Sequence, residues 1–422
     1  MTEKSAISLA DPAIQRCPFH ANKQLREETP VYLDPITGHY VVSRYDDVFE
    51  ASLDVARLAN DTGLSLPTRQ SVVQEQVDKI YAEKGWLPIN TLVTNDPPDH
   101  RFFRSLVDKV FTPRRVAKME PYIGNMIDEL IDGFINDGEV ELVSRFAVPL
   151  PMTVIADQLG VPRADLALFK KWSDESMKVI SPMTTPEAEI AFAHLMTEMQ
   201  QYFNSKAEDP ATMARDCIFR DLLSVDVDGR KLAMREFMSI THNLLVAGNE
   251  TTTHGIASGV QLMIENPDRV REMREKPETI SAFVEETLRL RAPIQGLARK
   301  ATTDLDIHGT RIPKGAIVIL RYGAANLDPE KFERPEEVNL HRTSPKSHLA
   351  FGVGPHFCIG HQLARTEMQM AFARILQRME NLRYAEGTAS CEYAEMYIAY
   401  GLKKLHIAFD RRRRDAMNEQ YQ

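Results

Sequence analysis

Apolar residues recur at helical spacing along most of the chain, and strand-like alternation is confined to short stretches. After Cys358, the residues Ile359, Leu363, Phe372, Ile375, Leu376 and Met379 return about once per helical turn. A longer pattern of the same kind runs from about Met234 to Ile264. A further helix is expected to open just after Pro97 and Pro98, because proline is favoured where a helix begins. Tyr40 to Val42, Ile307 to Leu320 with a glycine-containing turn inside it, and Leu405 to Phe409 read as strands. The expected fold is mainly α with minor β. No Gly/Ser-rich linker, repeat or low-complexity tract divides the 422 residues, so one domain is expected, with 1–25 as an N-terminal arm and 410–422 as a solvated tail.

Charge and composition narrow the function. The net charge of −9, from 51 basic and 60 acidic residues, argues against nucleic acid as the main partner. The run Arg411 to Arg414 is flanked by Asp410 and Asp415 and reads as a solvated tail. The first twenty residues contain no apolar signal core, and no stretch has the roughly 18 apolar residues of a membrane helix, so no membrane anchor is expected. Four cysteines (Cys17, Cys217, Cys358 and Cys391) in a chain of this length do not form a disulfide framework, and a cytoplasmic setting fits.

Cys358 is the residue with the most chemistry around it. It lies between glycines, in Phe351-Gly-Val-Gly-Pro-His-Phe-Cys-Ile-Gly, just before a helical pattern. Unpaired N–H groups and the positive end of a helix dipole favour a thiolate there. Gly352 and Gly354 let the loop turn, and Gly360 has no side chain to hold off a flat partner. Two other readings compete: an inert buried cysteine, and a zinc site using His356, Cys358 and His361, which would still need a fourth ligand.

At these residues the sequence resembles the cytochrome P450 family of heme-thiolate oxygenases, whose loop carries Phe351, Gly354, Cys358 and Gly360 at matching spacing. The resemblance extends from about Tyr40 to Leu405. It implies a P450 fold, heme b (iron protoporphyrin IX) as cofactor, and Cys358 as the ligand to iron. It directs Glu286 and Arg289, three residues apart on one helix face, and Arg342 to a buried structural cluster behind the heme. His100, Arg104, Arg299 and His356 are the residues it would direct to the two heme propionates. Read singly, each of these four is a surface charge.

The segment Leu244-Leu-Val-Ala-Gly-Asn-Glu-Thr-Thr is poor helix sequence. Gly248 inside a helix costs about 1 kcal/mol relative to alanine, and consecutive threonines are unfavourable too. Taken alone it is a buried helix with a loosely packed glycine. In the family, Ala247 and Gly248 would line the oxygen side of the heme, the glycine permitting a local opening. Glu250 and Thr251 would form an acid-alcohol pair that feeds protons while O2 is activated. The implied activity is a monooxygenase.

The chain holds no G-x-G-x-x-G or P-loop. Electrons are therefore expected from a separate ferredoxin-type carrier with its NAD(P)H-dependent reductase, docking through Arg101, Lys109, Arg114, Arg115 and Arg365. By resemblance, the substrate site would involve the 61–94 region including Thr94, then Asn243, Leu244, Ala247, Ile294, Gln295, Leu297 and Ile398. Met177, Ile180 and Met183 are candidates for its roof or for ordinary core. Most of these residues are apolar, so a hydrophobic small molecule is expected, oriented by Asn243 or Gln295 unless those amides merely satisfy backbone groups. A heme-thiolate gas sensor and a peroxide-driven enzyme are the other redox readings, and neither has a use for the Glu250–Thr251 pair.

Overall fold

Helix Met234–Glu265 is the axis of the computed structural model, which describes residues 6–62, 71–180, 183–387 and 390–412. At 32 residues it is about 48 Å long. Its N-terminal half buries Phe237, Met238, Ile240, Leu244 and Leu245 in one core cluster, with Phe169, Trp172, Phe203 and Phe219. Its C-terminal half buries Ile256, Ala257, Val260, Leu262 and Met263 in a second, with Phe283, Phe372 and Ile375. Between the two clusters Ala247 is exposed. The helix runs unbroken through Gly248, so the local opening expected at that glycine is not present.

Two close approaches explain why small residues recur in this helix. A β-carbon at Gly259 would fall 2.1 Å from Cζ of Phe372, and one at Gly255 would fall 3.0 Å from the sulfur of Met368. Both neighbours belong to His361–Arg378, the helix that follows Cys358. The cysteine helix therefore lies directly against the long helix.

Strands form two main sheets beside this helical body. One has five strands in the order Val31–Leu33, Tyr40–Val42, Ile317–Leu320, Leu297–Ala301, Leu58–Ala59. Tyr40–Val42 pairs parallel with Ile317–Leu320. The other is built on Leu402–Arg411, which pairs with Glu139–Glu141, Met379–Tyr384 and Cys391–Tyr393. The stretch from Ile307 to Leu320 is not one hairpin. A turn at His308 and Gly309, both at positive φ, closes the small hairpin of Leu305–Ile307 with Thr310–Ile312, and Ile317–Leu320 then joins the five-stranded sheet.

Residues 1–25 are not an arm over their described part. Pro12–Arg16 and Phe19–Glu28 are helices. Leu9 and Leu25 are buried, and Leu9 N–H donates to Asp34 at 2.8 Å. Asn22, fully buried, donates to Gln295 Oε1 at 3.3 Å and accepts from Arg321 Nε at 2.9 Å. The segment anchors on residues some 270 positions away, a contact that no local pattern announces. Of the expected tail, Asp410 and Arg411 end the last strand, and 413–422 lie outside the described residues.

The expected Glu286–Arg289–Arg342 cluster is assembled. Arg289 is 0% exposed and forks onto Glu286 at 2.7 and 2.9 Å. Its Nη1 donates to the carbonyls of Asn326 and Pro335 at 3.1 and 2.6 Å. Arg342 Nε donates to the same carboxylate at 2.9 Å, and Asn339 N–H adds a bond at 2.8 Å. A buried pair that has this many partners tolerates removal of neither member. Arg289→Leu is expected to lower the unfolding free energy by about 3–5 kcal/mol, read as a drop in the urea midpoint; a change below about 1 kcal/mol would contradict the cluster's bracing role.

Candidate active site

The Cys358 loop is closed by its own backbone. Cys358 N–H donates to Phe351 O at 2.9 Å, and Phe357 N–H to Gly354 O at 3.0 Å. Gly352 and Gly354 have φ of 68° and 74°, the left-handed region that glycine enters without strain. The sulfur sits deep among protein atoms yet the residue is only partly buried by surface area, so open space reaches it. Burial pushes its thiol pKa up, outweighing the N–H groups of Gly360 and His361 and the charges of Arg104 and Arg365 that pull it down. The helix end alone thus does not win a thiolate, contrary to the simple dipole argument. A bound cation is the natural complement of this donor set.

A second buried network holds the loop from behind. Glu285, 3% exposed, accepts from Arg365 at 2.6 and 2.9 Å and faces His348 Nε2 at 2.9 Å. Burial would raise this carboxyl, but the bonds from His348 and Arg365 outweigh it and bring the pKa to about 2. The Arg365 guanidinium also stacks 4.4 Å over the Phe351 ring and contacts His361 at 2.8 Å. Arg365 is therefore internal, and it is removed from the expected docking surface. Arg115 is removed too, being taken up by Asp221 and Asp216. Glu285 and His348 escaped the sequence reading, although Glu285 adjoins the Glu286 it singled out.

His100, Arg104, His356 and Arg299 do not share one environment. His100 and His356 face each other with ring centroids 4.2 Å apart. His356 Nε2 is 2.8 Å from Asn60 Nδ2 and 3.7 Å from Asp96. Burial, then His356 and Arg104, lower the pKa of His100 to about 4, so it is neutral at pH 7. Arg104 is a strut more than a free cation: Nη1 donates to Phe357 O at 2.6 Å and Nε to Asp108 at 3.0 Å. Arg299 is 3% exposed, donates Nη1 to Ala298 O at 2.8 Å, and leaves Nε without a partner among the described residues. A buried guanidinium without a carboxylate invites an anion.

On the long helix, Thr251 Oγ1 donates to Ala247 O at 2.9 Å. Glu250 is raised to about pKa 7 by burial, then by the charge of Asp174. Gly248 looks away from this space, because a β-carbon there would fall 2.9 Å from Ile155 Cγ1. Its role is close helix packing, and Ala247 is the residue that faces the open side. Val246 and Ile359, which adjoin Ala247 and Cys358, pack against the same core cluster. A β-carbon on Gly360 would meet nothing within 4 Å. These features fit a flat, anionic, cysteine-ligated macrocycle.

Comparison with known proteins agrees. The family model described as Cytochrome P450 matches residues 187–389. Cytochrome P450 107B1 of Saccharopolyspora erythraea is 33% identical over 389 residues, 91% of this chain and 93% of the relative. The chain belongs to the cytochrome P450 family. As a P450 monooxygenase, it binds heme b. Vitamin D(3) 25-hydroxylase of Pseudonocardia autotrophica is 33% identical over 394 residues, 92% of this chain and 93% of that one. The solved P450 CYP109Q5 of Chondromyces apiculatus superposes with a TM-score of 0.83 at 30% identity, covering 96% of this chain and 98% of that one.

The residues expected to touch substrate divide sharply. Gln295 is 2% exposed, and its side chain turns away toward Ala292 O at 2.8 Å and Asn22; it ties the N-terminal segment to the core and does not orient a ligand. Asn243 donates to Thr91 Oγ1 at 2.9 Å, and Thr94 Oγ1 donates to Thr91 O at 3.1 Å. Leu244 is buried in the core. Ile294 bridges to Ala399, Leu297 lies in a strand, and Ile398 O accepts from Gln295 N at 2.8 Å. Missed by sequence were Gln200 and Ser239. Gln200 grips Trp86 N–H and C=O at 2.9 and 2.8 Å, and Ser239 accepts from Ile89 N–H at 3.1 Å. The loop before Thr94 is strapped to two helices through these bonds. Of the 61–94 region, 63–70 lie outside the described residues. Met177 is half-buried, while Ile180 and Met183 are 40% and 63% exposed.

Proposed function

We propose that this P450 hydroxylates a hydrophobic small molecule, with Cys358 as the iron ligand and Glu250 and Thr251 as the proton donors. The single observation that carries this reading is the exposed Ala247, with Glu250 and Thr251 on the turn that follows it, in a helix that packs on the Cys358 helix. When bound, heme supplies O2 activation and the one-electron chemistry. Phe351 and the glycine turns hold the sulfur's loop, and the Glu285 network keeps that loop from moving. His100, held neutral by burial, offers a donor to the propionates, as do His356 and Arg299, and Arg104 fixes the loop's C-terminal side. Thr251 keeps its hydroxyl on Ala247 O until a better acceptor is present, and Glu250 holds a proton near neutral pH.

A zinc-binding reading has no support in the geometry: among the described residues no group of three or more His, Cys, Asp or Glu is placed to hold a metal ion. The relative named as a vitamin D(3) hydroxylase supports a bulky apolar substrate. Electrons are assigned to a separate ferredoxin-type protein with an NAD(P)H-dependent reductase. Arg101 and Arg114, both exposed, and Lys109 form what remains of the docking charge after Arg115 and Arg365 are removed. One domain accounts for the whole described chain. No helix of the described residues is long and apolar enough to cross a membrane.

Because Glu250 is a raised acid, it is protonated below about pH 7 and loses its proton as pH climbs through that value. Product formed per NAD(P)H should fall as pH rises past about 7, and this dependence should flatten in Glu250→Gln. Thr251→Ala should divert electrons to hydrogen peroxide by roughly an order of magnitude with heme still bound; unchanged coupling in both variants sinks the proton-donor role. Reversing Arg101, Lys109 and Arg114 together should slow reduction by a ferredoxin and weaken its salt dependence, and an unaltered rate and salt slope would remove this face as the docking site.

A further inference from the structure

The C-terminal half of the long helix carries a line of polar side chains whose middle members are buried with polar atoms left unpaired among the described residues. Glu250, His254, Ser258, Gln261 and Glu265 follow one another at spacings of four or three, so they share a single helix face. His254 is 5% exposed, Ser258 0% and Gln261 5%. Both ring nitrogens of His254, Oγ of Ser258 and Oε1 of Gln261 have no hydrogen-bond partner among the described residues. One such atom is unremarkable, but four in register along a stripe form a pattern. Buried polar atoms in native proteins are satisfied by protein or by internal water.

The stripe has two defined ends. At the inner end, His254 Nε2 lies 3.6 Å from Glu250 Oε2, with Lys170 and Asp174 of helix Leu166–Lys178 as the other charges facing this pair. At the outer end, Gln261 Nε2 donates to Tyr393 Oη at 2.7 Å. Tyr384 Oη donates to Glu265 Oε1 at 3.2 Å, and Arg291 stands 3.6 Å from the same carboxylate. Glu265 is exposed. The facing wall is cut back for the histidine: a β-carbon on Gly401 would fall 2.0 Å from His254 Nδ1.

We propose that this face is a water-lined proton path from the surface at Glu265 and Tyr384 to Glu250. The inference rests on the proton-donor reading of Glu250 given above. Each hydroxyl, imidazole or water on the path accepts one proton from its outer neighbour and releases one to its inner neighbour. The net result is one proton moved from bulk water to the Glu250 carboxylate, with no other bond changed. His254 suits the middle of such a path because burial keeps the ring neutral, with its pKa lowered to about 4, leaving one nitrogen as donor and the other as acceptor. Ser258 can donate and accept by rotating one bond.

The test uses the heme-loaded protein. A high-resolution crystal structure of the unmutated enzyme should show ordered water bridging His254, Ser258 and Gln261; a dry stripe, or these atoms bonded directly to protein, overturns the proposal. In turnover, His254→Leu and Ser258→Val should each lower product per NAD(P)H at least twofold, with heme content and substrate affinity unchanged. His254→Gln, which keeps a polar side chain but whose amide cannot take up and pass on a proton, should stay impaired; full coupling in it would remove His254 from the path. If Ser258→Val, the milder change, and His254→Leu both leave coupling intact while Glu250→Gln impairs it, the path is wrong and the role of Glu250 stands. If Glu250→Gln is itself silent, the reading beneath the path has failed and the path falls with it.

Discussion

On the proposed reading, a Cys358 sulfur that must carry negative charge in a buried place is the constraint around which this protein is arranged. Burial opposes the thiolate, and two backbone N–H groups with two arginines do not overcome it. As the proposed iron ligand, Cys358 occupies a position that a metal cation would complete, and the surrounding structure serves to keep the sulfur in place. Arg104 holds the loop at Phe357, Arg365 stacks on Phe351, and Glu285 and His348 fix Arg365. One step further out, Glu286 joins Arg289 and Arg342. Two adjacent glutamates on one helix thus brace two segments: Glu285 the Cys358 loop through Arg365, and Glu286 the 326–342 stretch through Arg289 and Arg342.

The long helix meets a different demand. It is the seam between two apolar cores, and it leaves Ala247 uncovered between them, on the side proposed for the reaction. The weak helix formers there are tolerated because both flanking halves are anchored by packing, which decides helix stability in a folded protein more than propensity does. Gly248 illustrates how a function-like signal divides on inspection: its missing side chain serves Ile155 of a neighbouring helix, while the open space belongs to Ala247.

The parts of the site legible in the sequence are those specified locally. Positive-φ glycines, a cysteine before a helix and carboxylate-arginine spacing on one face are short-range patterns with physical meanings of their own. Arg115 and Arg365 do not belong to the expected docking surface because each is defined by a partner far along the chain, Asp221 and Glu285, whereas the Gln295 amide follows the second of its two readings and satisfies a backbone carbonyl. Residues 1–25 were misread for the same reason, since Asp34, Gln295 and Arg321 do the anchoring. The strand stretch from Ile307 to Leu320 was recognised as β, but its division between two sheets depends on which edges are available, a property of the assembled fold. Polar residues on the buried face of a helix read as neutral filler until their burial and lack of partners are known, which is why His254 and Ser258 gave no signal.

The most direct measurement of the central claim is the absorption spectrum of the purified, reduced protein under carbon monoxide. Thiolate ligation by Cys358 predicts that the strong Soret band moves to the long-wavelength position that a sulfur anion imposes, and that Cys358→His abolishes this shift while heme is retained. A reduced carbon monoxide complex whose band stays at the shorter wavelength of an imidazole-ligated heme, with freshly prepared protein of intact fold, would contradict it.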